Sequence, residues 1–576
     1  MPQRVHRAIA VFVAVSLLCT AGVPPAGAAT PIWTYRSPEE VKWQELTDLG
    51  TVLVGTDAGL VCLDPATGTA VWRRDDLKKV SRYQVKEIYG TPVLLVTANT
   101  SGNKTVLFAV STVNGQTIWQ TERIKGAAVG VVPVYAKNMV ILLTARSSGA
   151  NKDKPDMIAL DMTTGEVKWE SELDNKVDLH QADTSGRFFQ KFDLSGHQDP
   201  IYDQDSIYFT YAGLHRYDLA TGQMVWKAPY DVTEGRIKKG NAQAILDGDI
   251  IYTSAKGVVR AHDKATGAVK WMSKDFGGAV AEMLLEGDVL YGRMGGHFYE
   301  YDKREWVLEK PLGVVALDRK TGSLLWRYDK ARDGITNIVY LPDQKVVLFA
   351  DSKNMVGLDA AGKEAFVVKL EFKNKIGAGA KAARAGMKFA RGGLIGLAKK
   401  DKQDMDLPVT VELRENGTAV VRGQQHVLAF NPSTRQIPWS VEFPAPGVSG
   451  WQLAVMAALT AASYAYHYRR AASTKLGTSE NWQANRAKNE SMASFQAMFD
   501  KRFTATRNGA GYTYLLTKVD DGDDDGPGIV GVNMDTGAPD YQVLLKIKEV
   551  DYLVDEVAGR LFNLKDKREI SAYALR

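Results

Sequence analysis

The stretch Ala159-Leu-Asp-Met-Thr-Thr-Gly-Glu-Val-Lys-Trp169 decides the fold of this 576-residue chain, because versions of it recur along the sequence. The copies share an Asp, a Gly four residues later and a Trp four residues after that. Strong copies contain Asp64, Gly68 and Trp72; Asp161, Gly165 and Trp169; Asp218, Gly222 and Trp226; Asp263, Gly267 and Trp271; and Asp318, Gly322 and Trp326. Weaker copies include Trp119, Asp359, Asn431 with Trp439, and Asn533. Copies spaced roughly 40 to 57 residues apart predict a propeller or a solenoid.

Each residue type in the motif has a physical role. The Asp side chain accepts hydrogen bonds from backbone amides of the turn that follows, and Gly adopts the positive φ that closes the turn. The Trp falls on a β-strand, where a large aromatic at a fixed position favours a wedge between neighbouring sheets. Two runs of β-branched and aromatic residues precede each turn, as at residues 51–54 and 60–63. With one less regular strand before them, each repeat predicts a four-stranded propeller blade.

The two ends of the chain predict how the ring closes. Residues 559–562 and 570–575 have the pattern of a second and third strand, but no Trp strand follows them. The segment around Trp33 supplies such a strand at the other end of the chain. Sharing one blade between the two ends removes exposed sheet edges. We therefore predict an all-β fold, a single closed β-propeller of ten four-stranded blades, or of eight if two weak copies are insertions.

The first residues predict export. Arg4 and Arg7 precede an apolar run at residues 8–23, and Ala26-Gly27-Ala28 fits a signal-peptidase site. We expect residues 1–28 to be a signal peptide that is cleaved near Ala28, leaving a periplasmic or secreted chain. Loss of the two arginines lowers the formal net charge from +5 to about +3, which does not favour nucleic acid as a partner.

One stretch lacks the β pattern. Residues 451–472 predict a helix, and a second begins near residue 480, with Met492, Phe495, Met498, Phe499 and Phe503 at helical spacing. We divide the mature chain into a first part of the propeller at 29–447, a helical hairpin insertion at 448–503 and the final blades at 504–576. The apolar part of the first helix is interrupted by polar residues, so we expect it to pack on protein and expect no transmembrane span.

Two charged stretches are candidate binding sites. Asp521, Asp523 and Asp525 fit the first half of a calcium loop, although the twelfth position is Val532 where the pattern needs Glu. The alternative is a solvated acidic turn. Residues 369–402 carry ten Lys or Arg against two acidic residues, which predicts an anion or polymer contact or a solvated insertion between blades.

No pattern of a catalytic centre is present. The sequence has no G-x-S-x-G element, and its histidines show no HxH or HExxH spacing. The mature chain keeps one cysteine, Cys62, so no intramolecular disulfide and no CxxC site can form. We interpret the following histidines as turn and surface residues: His180, His197, His215, His262, His297, His426 and His467.

The repeated motif resembles the docking repeat of the pyrroloquinoline-quinone (PQQ)-like propeller superfamily over nearly all of the mature chain except the predicted hairpin. That superfamily includes quinoprotein alcohol and glucose dehydrogenases and also the non-enzymatic propeller of the outer-membrane β-barrel assembly machinery. The dehydrogenases pair PQQ with an adjacent Cys-Cys disulfide and a calcium ion, whereas the mature chain has Cys62 alone.

The resemblance is therefore closer to the non-enzymatic propellers. It implies a monomeric binding or scaffold platform for an envelope or secreted protein, a peptide or an envelope polymer, without PQQ. The alternative is a PQQ- and calcium-dependent dehydrogenase of alcohols or sugars.

Overall fold

The computed structural model describes residues 30–88, 91–100, 104–147, 153–173, 179–181, 190–192, 200–232, 241–300, 305–372, 406–423, 425–444, 511–520, 525–545 and 551–575. In these ranges the chain is an all-β propeller of ten sheets, and its helical structure is limited to the 3-10 turns Arg82–Gln84 and Tyr135–Lys137. No helix in them has the length and hydropathy needed to span a bilayer. The predicted helical hairpin at 448–503 lies outside these ranges and stays a prediction.

The strands follow one another blade by blade. Blades 1 to 3 contain β2 (Val41–Leu46), β3 (Val52–Thr56), β4 (Leu60–Leu63) and β5 (Ala70–Arg74); β6 (Val85–Ile88), β7 (Val93–Thr100), β8 (Lys104–Ser111), β9 (Thr117–Gln120) and β10 (Ile124–Lys125); and β11 (Ala127–Val134), β12 (Met139–Ser147), β13 (Asp153–Asp161) and β14 (Val167–Glu172). A small ribbon of β15 (Leu179–Gln181) and β16 (Gln190–Phe192) follows. Blades 4 to 6 contain β17 (Ile201–Tyr202), β18 (Ser206–Thr210), β19 (Gly213–Asp218) and β20 (Met224–Pro229); β21 (Ile245–Asp247), β22 (Ile250–Ala255), β23 (Val258–Asp263) and β24 (Val269–Met272); and β25 (Val280–Glu286), β26 (Val289–Glu300), β27 (Glu305–Asp318) and β28 (Leu324–Tyr328).

The remaining strands complete the ring. Blades 7 to 9 contain β29 (Val339–Leu341), β30 (Val346–Ala350), β31 (Asn354–Leu358) and β32 (Glu364–Lys369); β33 (Thr410–Leu413), β34 (Ala419–Arg422), β35 (His426–Asn431) and β36 (Gln436–Glu442); and β37 (Tyr512–Asp520), β38 (Asp525–Asn533) and β39 (Pro539–Leu544). Blade 10 contains β40 (Asp551–Asp555), β41 (Arg560–Lys565), β42 (Glu569–Ala574) and β1 (Trp33–Arg36). Each weak copy of the motif thus has its own blade, so ten is the correct count and eight is wrong.

The hydrophobic core is divided into layers between adjacent blades. In a blade, the strands pair antiparallel in chain order, and the second and third strands are the most deeply buried. In blade 1, for example, β3 is buried at every residue, while β5 buries Trp72 between exposed neighbours. One layer joins Ile141 and Trp169 of blade 3 to Phe209 and Tyr217 of blade 4. The Trp-bearing strand is therefore the outermost strand of its blade.

The ring closes through the N-terminal strand, as predicted. Strand β1 pairs antiparallel with β42, and Trp33 lies opposite Ala572. The Trp33 indole then reaches blade 1, where its Nε1–H donates to the Pro65 carbonyl oxygen at 3.0 Å. The first and last blades are thereby joined both within a sheet and between sheets.

Blade 9 differs from the predicted four strands, because three strands are present in its described part. Other blades have a first strand beside the strand that corresponds to β37. In the described part of blade 9, side chains of blade 8 contact this edge. Arg422 Nη2 donates to the Tyr514 carbonyl oxygen at 2.7 Å, and Gln425 Nε2 donates to that of Leu516 at 3.1 Å. Side-chain donors thus satisfy carbonyl groups that a neighbouring strand would otherwise pair.

The blades are joined by a repeated contact between a Trp and the motif Gly of the next blade. The Trp169 indole donates to the Leu219 carbonyl oxygen at 2.9 Å. At Gly222, whose φ is +72°, a Cβ atom would lie 2.3 Å from Trp169 Cε3. The Gly thus leaves space for the indole as well as adopting the positive φ. The same pairing of indole and glycine involves Trp33, Trp72, Trp119, Trp169, Trp226, Trp271, Trp326 and Trp439.

The boundary between blades 7 and 8 replaces both partners of this contact. Arg435 takes the left-handed position of the blade 8 turn with φ of 60°, and the residue facing it from blade 7 is Phe366. The Arg435 guanidinium lies over the Phe366 ring, 5.4 Å from its centroid. Asn337 strengthens the same boundary with two hydrogen bonds of 2.9 Å to the backbone of Val411. A smaller aromatic therefore accompanies the position where the glycine is lost.

This pairing leads to a double-mutant prediction. We expect Phe366→Trp to destabilise the protein by about 1–3 kcal/mol, because the indole would overpack against the Arg435 side chain. Adding Arg435→Gly should recover at least half of that loss by restoring the space that glycine leaves at the other boundaries. Urea unfolding of the four variants of the cycle measures the coupling. Additive effects of the two substitutions would contradict the proposed complementarity.

Candidate binding surfaces of the ring

The antiparallel order of the strands gives the ring two different faces. One, the turn face, carries the hairpin between the first and second strands of each blade and the Asp-x-x-Thr-Gly turn. The Arg319 amide, in a motif turn, donates to Asp288 in such a hairpin at 3.0 Å. The other, the insertion face, carries the loops between second and third strands and the connections between blades. The Leu370 amide, in a connection, donates to Lys353 in such a loop at 2.6 Å.

The basic and the acidic stretches both join the insertion face, whereas the stretch with the predicted helical hairpin begins after Pro444 on this face and ends before Gly511 on the turn face, where the Met534 amide donates to the Gly511 carbonyl oxygen at 2.9 Å. The described chain leaves the insertion face at Phe372 and rejoins it at Asp406, on either side of the predicted basic insertion. It also leaves at Pro444, before the predicted helical hairpin, and the Lys518 amide donates to the Pro444 carbonyl oxygen at 3.3 Å. The acidic stretch at 521–524 connects β37 to β38 on this face. The insertion face therefore bears both ends of the basic stretch, both ends of the acidic stretch and one end of the stretch that contains the predicted hairpin.

The two ends of the basic insertion lie side by side. A Cβ atom at Gly423 would be 2.6 Å from Asp406 Oδ1 and 2.7 Å from Phe372 Cε1. Asp406 is buried and accepts a hydrogen bond of 3.0 Å from the Gln425 amide, while the Phe372 ring packs 4.5 Å from that of His426. The insertion thus leaves and rejoins the ring at nearly the same point, in the connection between blades 7 and 8.

The acidic turn is tied to a lysine at its base. Asp520 pairs with Asp525 across β37 and β38, and the Lys518 ammonium forms an ion pair with Asp525. The hydrogen bond to Asp525 raises the pKa of Lys518. Asp521 and Asp523 lie outside the described residues, so the predicted calcium loop stays a prediction. Elsewhere in the described ranges, no group of three or more His, Cys, Asp or Glu side chains is arranged to hold a metal ion.

Carboxylates on the first strands connect neighbouring blades. Glu282 of β25 accepts hydrogen bonds from Arg293 Nε at 3.0 Å and from the Ile338 amide, which leads into blade 7, at 3.1 Å. Asp551 of β40 faces blade 1, where Gln44 Nε2 lies 3.5 Å from its carboxylate Oδ1 and donates to its backbone oxygen at 3.0 Å. Burial raises the pKa of both Glu282 and Asp551. These contacts link neighbouring blades, so we assign both residues a structural role.

The motif carboxylates are likewise engaged in their own turns. Asp218 Oδ1 accepts hydrogen bonds from the Thr221 hydroxyl and amide, both at 2.8 Å, and from the Ala220 amide at 3.0 Å. The Thr221 hydroxyl is the main cause that lowers the pKa of Asp218. Because these acceptors are used within the turn, we assign the motif Asp residues to the fold rather than to a binding site.

The interpretation of the histidines as turn and surface residues is wrong for three of them. His215, His262 and His426 are buried. The His215 ring stacks on Tyr211 with centroids 4.0 Å apart, His262 Nε2 lies 3.2 Å from Thr253 Oγ1, and His426 Nε2 lies 2.7 Å from Ser440 Oγ. Tyr211 lies in the turn before the strand of His215, and Thr253 and Ser440 lie on strands paired with those of His262 and His426, contacts that sequence spacing does not reveal.

Cys62 lies in the core of blade 1 and is fully buried. Burial raises the pKa of its thiol to about 12, so the reactive thiolate is disfavoured. The sequence offers no adjacent cysteine to form the vicinal disulfide that accompanies PQQ in the dehydrogenases. The environment of Cys62 does not fit a role beside such a quinone.

The outer rim presents a feature that the sequence reasoning missed. Most of the large hydrophobic side chains that are exposed in the described ranges lie on the outermost strands, within two residues of the motif Trp or of Phe366. Val225 of β20, Met272 of β24 and Leu325 of β28 are examples. Their positions beside the Trp on the last strand of each repeat could have revealed them, since that strand has a neighbouring strand on one side only.

Comparison with known proteins yields one match to a family model, described as outer membrane protein assembly factor BamB, at residues 56–305, 212–365 and 312–516. None of the curated proteins matches the chain. The solved structures that it resembles include BamB from Moraxella catarrhalis, at 14% identity and a TM-score of 0.32, covering 70% of this chain and 97% of that chain. The designed Ika8 protein has 12% identity, a TM-score of 0.33 and coverage of 68% and 96%. The C-terminal WD40 domain of Sif2 has 10% identity, a TM-score of 0.33 and coverage of 69% and 96%.

Proposed function

Because this chain belongs to the family described as outer membrane protein assembly factor BamB, we propose that it is an exported, non-enzymatic propeller that binds a protein, a peptide or an envelope polymer. The family match extends over most of the ring, and the blades carry the docking motif that holds them together. In this proposal residues 1–28 direct export, the mature chain acts as a monomer, and PQQ is not bound. The periplasm and the exterior of the cell are both compatible with such a leader.

The observation that carries the proposal is the contrast between the two faces. The turn face is built from short turns whose polar groups bond to one another, as at Asp218 and Thr221. The insertion face bears both ends of the basic stretch, at Phe372 and Asp406, and both ends of the acidic stretch, at Asp520 and Asp525. Irregular segments that leave a rigid scaffold commonly carry its binding residues.

The experiment removes the basic insertion without opening the ring. Residues 373–405 are replaced by a short Gly-Ser linker, which can close the gap because Phe372 and Asp406 both adjoin Gly423. The intact chain and the deletion variant are immobilised and exposed to envelope extract, and bound protein and polymer are identified. We expect the melting temperature to change little and at least one partner of the intact chain to be lost.

A parallel assay tests the alternative of a quinoprotein dehydrogenase. The intact chain is incubated with PQQ and calcium, and dye reduction is followed with a panel of alcohols and sugars. Dye reduction dependent on PQQ would contradict the proposed function, as would failure of the intact chain to retain any protein or polymer. The deletion of residues 373–405 also has a matched control, a variant in which only residues 521–524 are replaced by Gly and Ser. This control alters another connection on the insertion face.

A further inference from the structure

Three consecutive blades, blades 4 to 6, each present one apolar and one cationic side chain on the outermost strand. The residue before and the residue after the Trp are both exposed on each of these strands. At these positions β20 has Val225 and Lys227, β24 has Lys270 and Met272, and β28 has Leu325 and Arg327. Each strand thus exposes one aliphatic or thioether side chain and one cation beside its Trp. The exposed fraction is 49% for Val225, 60% for Met272 and 51% for Leu325.

The other outer strands lack this run. In blade 3 the corresponding residues are Lys168 and Glu170, and in blade 9 they are Asp540 and Gln542. Blade 1 has one such pair, but blades 2 and 10 on either side of it do not. Strands β20, β24 and β28 contain no carboxylate. Among the described outer strands, blades 4 to 6 therefore form the longest run of such pairs, and every charged side chain on these three strands is a cation.

The cations on this surface can exchange partners at little cost. Lys270 lies 3.3 Å from Asp263, and Arg327 lies 3.5 Å from Asp329, with all four side chains at least one quarter exposed. Ion pairs at such exposure contribute little to stability, because water and salt screen them. Carboxylates of a binding partner can therefore replace or join Asp263 and Asp329, while buried hydrophobic area adds to the attraction.

We propose that Val225, Lys227, Lys270, Met272, Leu325 and Arg327, here called the flank surface, bind an extended acidic segment of a partner protein. The inference rests on the proposed function and names the chemistry of one partner. In an extended partner segment, apolar residues can contact the aliphatic and thioether side chains of the flank surface, and carboxylate residues between them can contact its cations. A polyanion without apolar groups matches only half of the surface, and exposed Met together with Arg is typical of protein contacts.

The test uses the intact chain and a fluorescein-labelled twelve-residue peptide in which Leu and Glu alternate. Fluorescence anisotropy measures its affinity, and a peptide of alternating Leu and Lys is the charge control. We expect the Glu peptide to bind and the Lys peptide not to bind. The double variant Met272→Asp, Leu325→Asp should weaken binding at least tenfold, because it removes apolar contact and repels the carboxylates.

The matched control is Ile118→Asp with Val167→Asp, which changes equally exposed positions on the outer strands of blades 2 and 3. We expect it to alter affinity less than twofold. If the first variant unfolds, Lys227→Gln with Arg327→Gln replaces it. The proposal would be overturned if the control variant weakened peptide binding as much as the first variant, or if both peptides bound equally. Binding to phosphatidylglycerol vesicles is measured as well, and a first variant that weakened it as much as binding to the Glu peptide would also overturn the proposal. Peptide binding that neither variant weakens would overturn it and leave the proposed function standing, whereas PQQ-dependent dye reduction without any binding would refute the function itself.

Discussion

Trp169→Ala is expected to lower the free energy of unfolding by about 3–5 kcal/mol, the range for truncation of a large buried aromatic. The Trp169 side chain packs against Gly222, and its indole N–H donates to the Leu219 carbonyl oxygen at 2.9 Å. Alanine would leave a cavity between blades 3 and 4 and an unpaired carbonyl group. Urea unfolding followed by circular dichroism measures the change.

The same strand provides the control for this prediction. Val167 lies two residues before Trp169 and is 51% exposed, so Val167→Ala should change stability by less than about 0.5 kcal/mol. A loss for Trp169→Ala no larger than that for Val167→Ala would mean that the boundary between blades 3 and 4 does not depend on the indole.

Gly222→Ala is expected to cost about 3 kcal/mol, although it adds a single methyl group. About 1 kcal/mol arises from the positive φ of +72°, which a residue with a Cβ atom adopts at a cost. The remainder arises because the new Cβ would lie 2.3 Å from Trp169 Cε3, so the indole must move and its packing is lost. Thermal and urea unfolding both report the change.

Gly248→Ala separates the two contributions. Gly248 also has a positive φ, +56°, but no atom lies within 4 Å of the position of its Cβ. We expect this variant to lose only the backbone contribution, about 1 kcal/mol. Equal losses for the two glycine variants would show that the motif Gly is needed for its turn alone and that contact with the indole adds nothing.

The expected effects explain why the motif is a sign of fold rather than of activity. Asp218 bonds within its turn, Gly222 leaves room for an indole, and Trp169 joins two sheets. Each residue type is required by a contact that recurs around the ring. We therefore expect partner binding to depend on residues outside the motif, on the insertion face or on the proposed flank surface.

Much of the architecture could be predicted from the sequence, because its signals are local. The turn chemistry of Asp and Gly and the alternation of the strands act over a few residues, and their repetition indicates blades. The strand around Trp33 also predicted ring closure correctly, because a last blade without a Trp strand leaves one place for it. The basic insertion, the helical hairpin and the calcium loop remain predictions, since their central residues lie outside the described ranges.

Other features depend on contacts between different strands and blades, and these only the tertiary structure decided. The burial of His262 beside Thr253 of the paired strand, the contacts of Arg422 and Gln425 with the edge of blade 9, and the pairing of Phe366 with Arg435 all arise in this way. The flank surface likewise combines side chains from three separate sheets, those of blades 4 to 6. Local sequence determines each blade, but the side chains that neighbouring blades present to one another depend on how the blades pack.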